Sequence, residues 1–109
     1  MKTLFITGAA QGIGLATARH FAARGWFVGL YDINHEKLEA LLASGDFPNA
    51  CAQHCDVSQR SSIEAALEHF SSHTNGRLDV LVNNAGVLTS GNFEDIKPQD
   101  HDRMIEINI

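Results

Sequence analysis

Apolar residues along this chain follow two alternating periods. Short, nearly continuous runs at residues 2–6 (KTLFI), 26–31 (WFVGLY) and 78–82 (LDVLV) predict strands buried on both faces. A weaker run at 50–55 (ACAQHC) predicts another strand. Between these runs the apolar positions recur at helical spacing. One helix is expected over 12–24, stopped by Gly25. A second is capped by Asn34 and turns Leu38, Leu41 and Leu42 to one face. A third begins near Ser58, lines up Ile63, Ala66, Leu67 and Phe70, and stops at Asn75-Gly76. A last helix is expected from Pro98, a favoured first-turn residue, to the chain end, with Met104, Ile105 and Ile109 on its apolar face. Residues 87–97 read as a loop.

The strand runs begin at 2, 26, 50 and 78, each one βα repeat apart. Such a repeat predicts an α/β fold: a Rossmann-type, doubly wound parallel sheet of about four strands in the order 3-2-1-4. The whole of 1–109 then forms one dinucleotide-binding domain. The strand order reverses between the first and fourth strands, and ligands in such sheets bind beyond the carboxyl ends at that crevice.

The polar punctuation falls at those ends. The first strand leads into Thr7-Gly8-Ala9-Ala10-Gln11-Gly12-Ile13-Gly14 and then a helix. Gly8, Gly12 and Gly14 suit a tight turn and a close pyrophosphate approach, with Gln11 and Ile13 beside it, and the helix N-terminus offers free N–H groups to phosphate. No Gly-Lys-Ser/Thr follows, so the loop is not a P-loop. The plain structural alternative is a tight βα turn. The second strand ends at Asp32, about twenty residues past Gly12, where a carboxylate accepts from ribose hydroxyls and repels a 2′-phosphate. Ile33 and Asn34 follow it, and no Lys or Arg stands immediately beyond. This pattern favours NAD (NADH) over NADP. The third strand ends at Asp56-Val57, where the acid either accepts from the adenine amino group or caps the next helix. The fourth ends in Asn83-Asn84-Ala85-Gly86, whose amides can lock adjacent strand ends or form an ordinary turn. Asn108 shares the expected last helical face with Met104 and Ile105, where a core amide needs hydrogen-bond partners.

Composition narrows the classes. The 109 residues carry 13 acidic and 8 basic side chains, a net charge of −5, which disfavours a nucleic-acid partner. No run approaches the roughly 18 apolar residues of a membrane span, and the N-terminal apolar stretch is too short for a secretory signal. A cytoplasmic location is expected. Cys51 and Cys55 lie about 13 Å apart in an extended strand, too far for a disulfide. With His54 and Asp56 they alternate between faces, so no metal site is expected, and the six histidines read as scattered.

Together these pieces resemble the short-chain dehydrogenase/reductase family. The 7–14 loop resembles its Thr-Gly-x-x-x-Gly-x-Gly motif, Asp32 its NAD-selecting acid, Asp56 its adenine-binding acid, and residues 83–86 its Asn-Asn-Ala-Gly motif. Asn108 resembles the asparagine of its catalytic tetrad, which supports a proton-carrying water chain. The resemblance implies an NAD-dependent oxidoreductase. It exchanges a hydride between nicotinamide and a small alcohol or carbonyl substrate, and it forms homo-oligomers. The family's catalytic Ser and Tyr-x-x-x-Lys stand downstream of that asparagine. The only tyrosine here is Tyr31, followed four residues on by His35, and the chain ends one residue after Asn108. The 109-residue chain alone is therefore expected to be inactive. It is also expected to expose the fourth strand as an apolar edge that invites association. A non-catalytic nucleotide-binding or regulatory module is the alternative function, and a half-sheet that completes another subunit is a third.

Overall fold

The computed structural model describes residues 1–84 and 104–109. The described elements are β1 (Thr3–Thr7), α1 (Gly12–Ala22), β2 (Phe27–Asp32), α2 (His35–Ala43), β3 (Ala50–His54), α3 (Arg60–Thr74), β4 (Val80–Asn83) and β5 (Ile105–Asn108). The strands form one parallel sheet in the order β3-β2-β1-β4-β5. The expected 3-2-1-4 order is present, with a fifth strand added at the β4 edge.

Burial explains why β1 sits at the centre. All its residues are buried, and their side chains alternate between two cores. Leu4 and Ile6, with Val28, Leu30, Val80 and Val82, pack beneath α1 and α2. Phe5, Tyr31, Cys51 and Leu81 face the opposite way, onto Ile63, Ala66, Leu67 and Phe70 of α3. Phe5 stacks on Tyr31 at 4.3 Å between ring centroids, and Phe70 meets Phe5 edge-on at 5.5 Å. Helices on both faces are what a parallel sheet with continuous apolar strands requires.

The helix ends follow local chemistry. Asn34 caps α2 by accepting from Lys37 N at 3.1 Å. α3 starts at Arg60, two residues past Ser58, because the Asp56 carboxylate accepts from Ser58 N and Ser58 Oγ and holds a turn there. It stops at Asn75, in the left-handed region at φ 58°, followed by Gly76. The start of the expected last helix at Pro98, the loop at 87–97, Ala85 and Gly86 lie outside the described residues.

The chain end corrects the sequence reading. Residues 105–108 form a strand, not the tail of a helix. Ile105, Ile107 and Ile109 alternate, so period two fits this segment as well as the helical spacing did, and β-branched isoleucine favours a strand. The open β4 edge supplies partners: Ile105 N donates to Asp79 O at 2.9 Å and Ile109 N to Asn83 O at 3.0 Å. β4 is therefore not an exposed edge. Among the described residues the outer edge is β5, whose Ile105, Ile107 and Ile109 are 59, 41 and 50% exposed.

At the opposite end of the sheet, Asp79 ties β1 to the approach of β4. Its Oδ2 accepts from Thr3 N at 2.8 Å and from Arg77 Nε at 2.9 Å. Burial works to raise this carboxyl, but the Arg77 guanidinium and the Thr3 N–H outweigh it and hold the group below the usual carboxylate range. A depressed folded pKa stabilises the fold fully above the unfolded value of about 3.9, and that share is lost as pH falls through the folded value. Asp79→Asn is expected to lower the melting temperature at neutral pH and to shrink the loss of stability below about pH 4. Parallel acid limbs for the two proteins in pH-dependent thermal melts would contradict this assignment.

Candidate functional site

The carboxyl ends of β1, β2 and β3 open into a cavity of about 480 Å³. Gly8, Gln11, Gly12 and Ile13 line one side, Asp32 and Ile33 the middle, and Asp56 with Val57 the far wall. These are seven of the residues singled out in the sequence, plus Ile33. Asn84, read from sequence as one of two amides that can lock strand ends, also lines it, as do Cys55 and Ser58, which were not assigned a site role. Gly14, Asn83 and Asn108 do not line it, and each acts behind the wall.

The three loop glycines divide the work. Gly8 sits at φ +64°, and a Cβ there would lie 2.7 Å from Asn84 O. Gly14 is closer still: a Cβ would lie 2.0 Å from Gly8 O and 2.4 Å from Asn84 Nδ2. The loop thus folds against the start of α1 and the end of β4 with no room for a methyl group. Gly12, at φ +62°, is different, because a Cβ there meets nothing within 4 Å. Its outer side is open space over the first turn of α1.

That first turn suits an anion. Gln11 occupies the N-cap without a side-chain cap bond, and no acidic residue stands in the turn. The Gln11 side chain instead points outward, where its Oε1 accepts from Lys37 Nζ at 2.8 Å. The helix N–H groups and the positive end of the helix dipole therefore face the cavity without a carboxylate in competition.

Asp32 is partly engaged. Its Oδ2 accepts from Ala10 N at 3.0 Å and its Oδ1 from Asn34 N at 2.9 Å. An ionised carboxylate has about four acceptor positions, so about two remain for hydroxyl donors. Asp56 is arranged similarly. Both Ser58 bonds fall on Oδ1, and they hold the carboxyl below its usual pKa range, with a smaller contribution from nearby His54. No protein donor is bonded to Asp56 Oδ2 among the described residues.

Behind the cavity the asparagines stitch strand ends together. Asn84 N donates to Thr7 Oγ1 at 3.1 Å, Thr7 Oγ1 donates to Asn83 Oδ1 at 3.2 Å, and Asn83 Nδ2 donates to Asn108 Oδ1 at 3.3 Å. Asn84 Nδ2 also donates to Gly8 O at 3.3 Å. The chain of bonds crosses β1, β4 and β5. Asn108 is exposed on β5 opposite Asn83, so the expectation of an amide within a helical apolar stripe does not hold. Tyr31 is fully buried, and its hydroxyl lies 2.9 Å from His69 Nδ1. Burial pushes its pKa far up, so it is unsuited to proton transfer.

The sequence of residues 2–109 matches the short chain dehydrogenase family model. The chain belongs to the short-chain dehydrogenase/reductase family. It is 44% identical over 109 residues to oxidoreductase UcpA of Salmonella typhimurium, covering 99% of this chain and 41% of that protein. The chain thus spans about two fifths of that relative's length. Among solved structures, an alcohol dehydrogenase from Thermococcus sibiricus complexed with 5-hydroxy-NADP superposes with a TM-score of 0.71 at 31% identity, covering 88% of this chain and 45% of that one. A 3-ketoacyl-(acyl-carrier-protein) reductase from Brucella melitensis complexed with NADH gives a TM-score of 0.69 at 31% identity, covering 87% and 42%. Short-chain dehydrogenase/reductases are oxidoreductases that use NAD or NADP, and one of these two neighbours carries each type. No described helix is long and apolar enough to cross a membrane.

Lys37, which bonds the cavity residue Gln11, was not singled out from the sequence. It lies five residues beyond Asp32 and so falls outside a search for an immediately following cation. The Asn34 cap turns the chain into α2 and brings Lys37 back to Gln11 at the cavity wall.

Proposed function

We propose that this chain is the NAD(H)-binding portion of an oxidoreductase that exchanges a hydride between nicotinamide and a small alcohol or ketone. The observation that carries the reading is the open space over Gly12, between an N-terminus that no side chain caps and the Asp32 carboxylate. In this reading the first-turn N–H groups of α1 bind the pyrophosphate, with Gly12 and Ile13 against it. The free acceptor positions of Asp32 take the adenosine ribose hydroxyls, and Asp56 Oδ2 takes the adenine amino group. Val57 bounds the adenine side of the cavity. The bound dinucleotide supplies the hydride donor or acceptor. Asn83 holds the Asn108 amide, which in the family's tetrad orients a water chain, while Ala85 and Gly86 complete the Asn-Asn-Ala-Gly match.

The negative charge of Asp32 favours NADH over NADPH, since a 2′-phosphate would meet it directly. Lys37, whose Nζ lies 2.8 Å from Gln11 Oε1, places a cation beside the loop and opposes that preference. Lys37→Ala is expected to weaken NADPH binding while leaving NADH binding unchanged. Equal loss for both cofactors in fluorescence titrations would remove Lys37 from the selectivity argument.

Within these 109 residues Tyr31 is the only tyrosine, and it is buried in the core. The 109-residue chain is therefore expected to bind NADH and to catalyse no oxidation. NAD-dependent turnover by the purified chain, free of host enzymes, would overturn the expected inactivity. The exposed isoleucines of β5 support self-association, to be read as a mass above the monomer in light scattering.

A further inference from the structure

The opposite face of the sheet carries a cluster that the cofactor site does not use. Cys51 on β3 and His69 and His73 on α3 bring one donor atom each to within 4.8 Å of one another. The two histidines are four residues apart on one helical face, with ring centroids 4.6 Å apart. The cavity residue nearest in sequence, Cys55, lies four residues along the chain from Cys51, about 13 Å at strand rise.

We propose that Cys51, His69 and His73 form a binding site for a zinc-like divalent transition-metal ion. The donor set is one sulfur and two imidazoles, the chemistry that borderline ions such as zinc and cobalt(II) prefer over magnesium or calcium. The surroundings are built as metal-bound histidines require. His69 Nδ1 is held by the Tyr31 hydroxyl at 2.9 Å, and His73 Nδ1 lies 2.9 Å from His69 O. Each ring has its Nδ1 within hydrogen-bond distance of a partner, which fixes the ring's orientation, and a ring turn can offer either nitrogen to a metal. The Tyr31 hydroxyl also lies 3.5 Å from Cys51 Sγ, where it can donate to a thiolate. A tetrahedral site with metal–ligand bonds of about 2.0–2.3 Å needs its donors about 3.5 Å apart. The donors already lie within 4.8 Å of one another, and His73, the exposed member, can rotate to close the site. Metal binding displaces the Cys51 thiol proton to water, and solvent completes the fourth position. Burial raises the Cys51 thiol pKa and lowers that of His69, with a further lowering from His73, so an unbound site is a neutral thiol beside a neutral imidazole. An occupied site staples β3 to α3.

The sequence held the signal in the His-x-x-x-His spacing of 69 and 73, but Cys51 stands 18 residues before His69 and only the fold brings it near. The four residues considered from sequence, Cys51, His54, Cys55 and Asp56, do not form such a group among the described residues.

The test is a titration of the reduced protein with cobalt(II), followed by optical absorption. The expected result is one equivalent bound, with a thiolate-to-cobalt charge-transfer band in the near ultraviolet, intense tetrahedral bands in the visible, and displacement by zinc. Cys51→Ser abolishes the charge-transfer band, whereas Cys55→Ser retains it. His73→Ala, at an exposed position that leaves folding intact, weakens cobalt binding at least tenfold. Zinc raises the melting temperature of the parent and not of His73→Ala. Absence of the charge-transfer band, its loss in Cys55→Ser with retention in Cys51→Ser, or an unchanged affinity in His73→Ala overturns the proposal.

Discussion

Alanine at Asp32 is expected to weaken NADH binding by about 10- to 150-fold, the equivalent of a lost charged hydrogen bond of about 1.5–3 kcal/mol. Two effects combine. The ribose loses its acceptors, and the Ala10 N–H loses the carboxylate that fixes the glycine loop. NADPH should lose less, because removal of the charge also removes the repulsion of its 2′-phosphate. Asp32→Asn separates the contributions. It keeps one acceptor oxygen for the loop and deletes the charge, so it should retain more NADH affinity than alanine while relaxing discrimination against NADPH. The two dissociation constants of each variant check this. An unchanged cofactor ratio in both variants would mean that the ribose lies elsewhere.

Gly12→Val and Gly14→Val should fail in different ways. At Gly12 the outer side is open, so a valine there fills the space that the pyrophosphate needs. The positive φ adds strain of about 1–2 kcal/mol, which a domain of ordinary stability tolerates. NADH binding should disappear while cooperative melting persists. At Gly14 the first added carbon collides with the backbone of Gly8. The loop and α1 must then move apart, and overpacking of this kind costs about 1–3 kcal/mol or more. Both stability and binding should fall. Calorimetric melts beside NADH titrations distinguish the two outcomes. Retained NADH affinity in Gly12→Val would remove the central support for the loop assignment.

The parts of this architecture that sequence made legible share one cause. β1, β2 and β4 are buried on both faces, so their composition alone marks them as strands of a covered parallel sheet. The glycine loop and Asp32 were legible because the strand–turn–helix order fixes their place at the switch point. The chain end was not legible. Residues 105–109 fit both periods, and the decision lay in an open β4 edge that no local window contains. The same holds for Lys37, which reaches Gln11, 26 positions away, so its role depends on tertiary closure. The Asn84 amide, by contrast, locks the end of β1 as its motif suggested, reaching Gly8, 76 positions away. Asp56 was open between a ligand role and a capping role. The structure gives its Oδ1 to Ser58 in a turn ahead of α3, whose N-cap is Gln59, so Asp56 does not cap that helix, and it lines the cavity.

The most direct measurement is a calorimetric titration of the folded 109-residue chain with NADH and, separately, NADPH. The account predicts one NADH site per chain, weaker binding of NADPH, and no heat of NADH binding in Gly12→Val. A chain that melts cooperatively yet binds neither dinucleotide would contradict the assignment of the cavity beyond β1, β2 and β3.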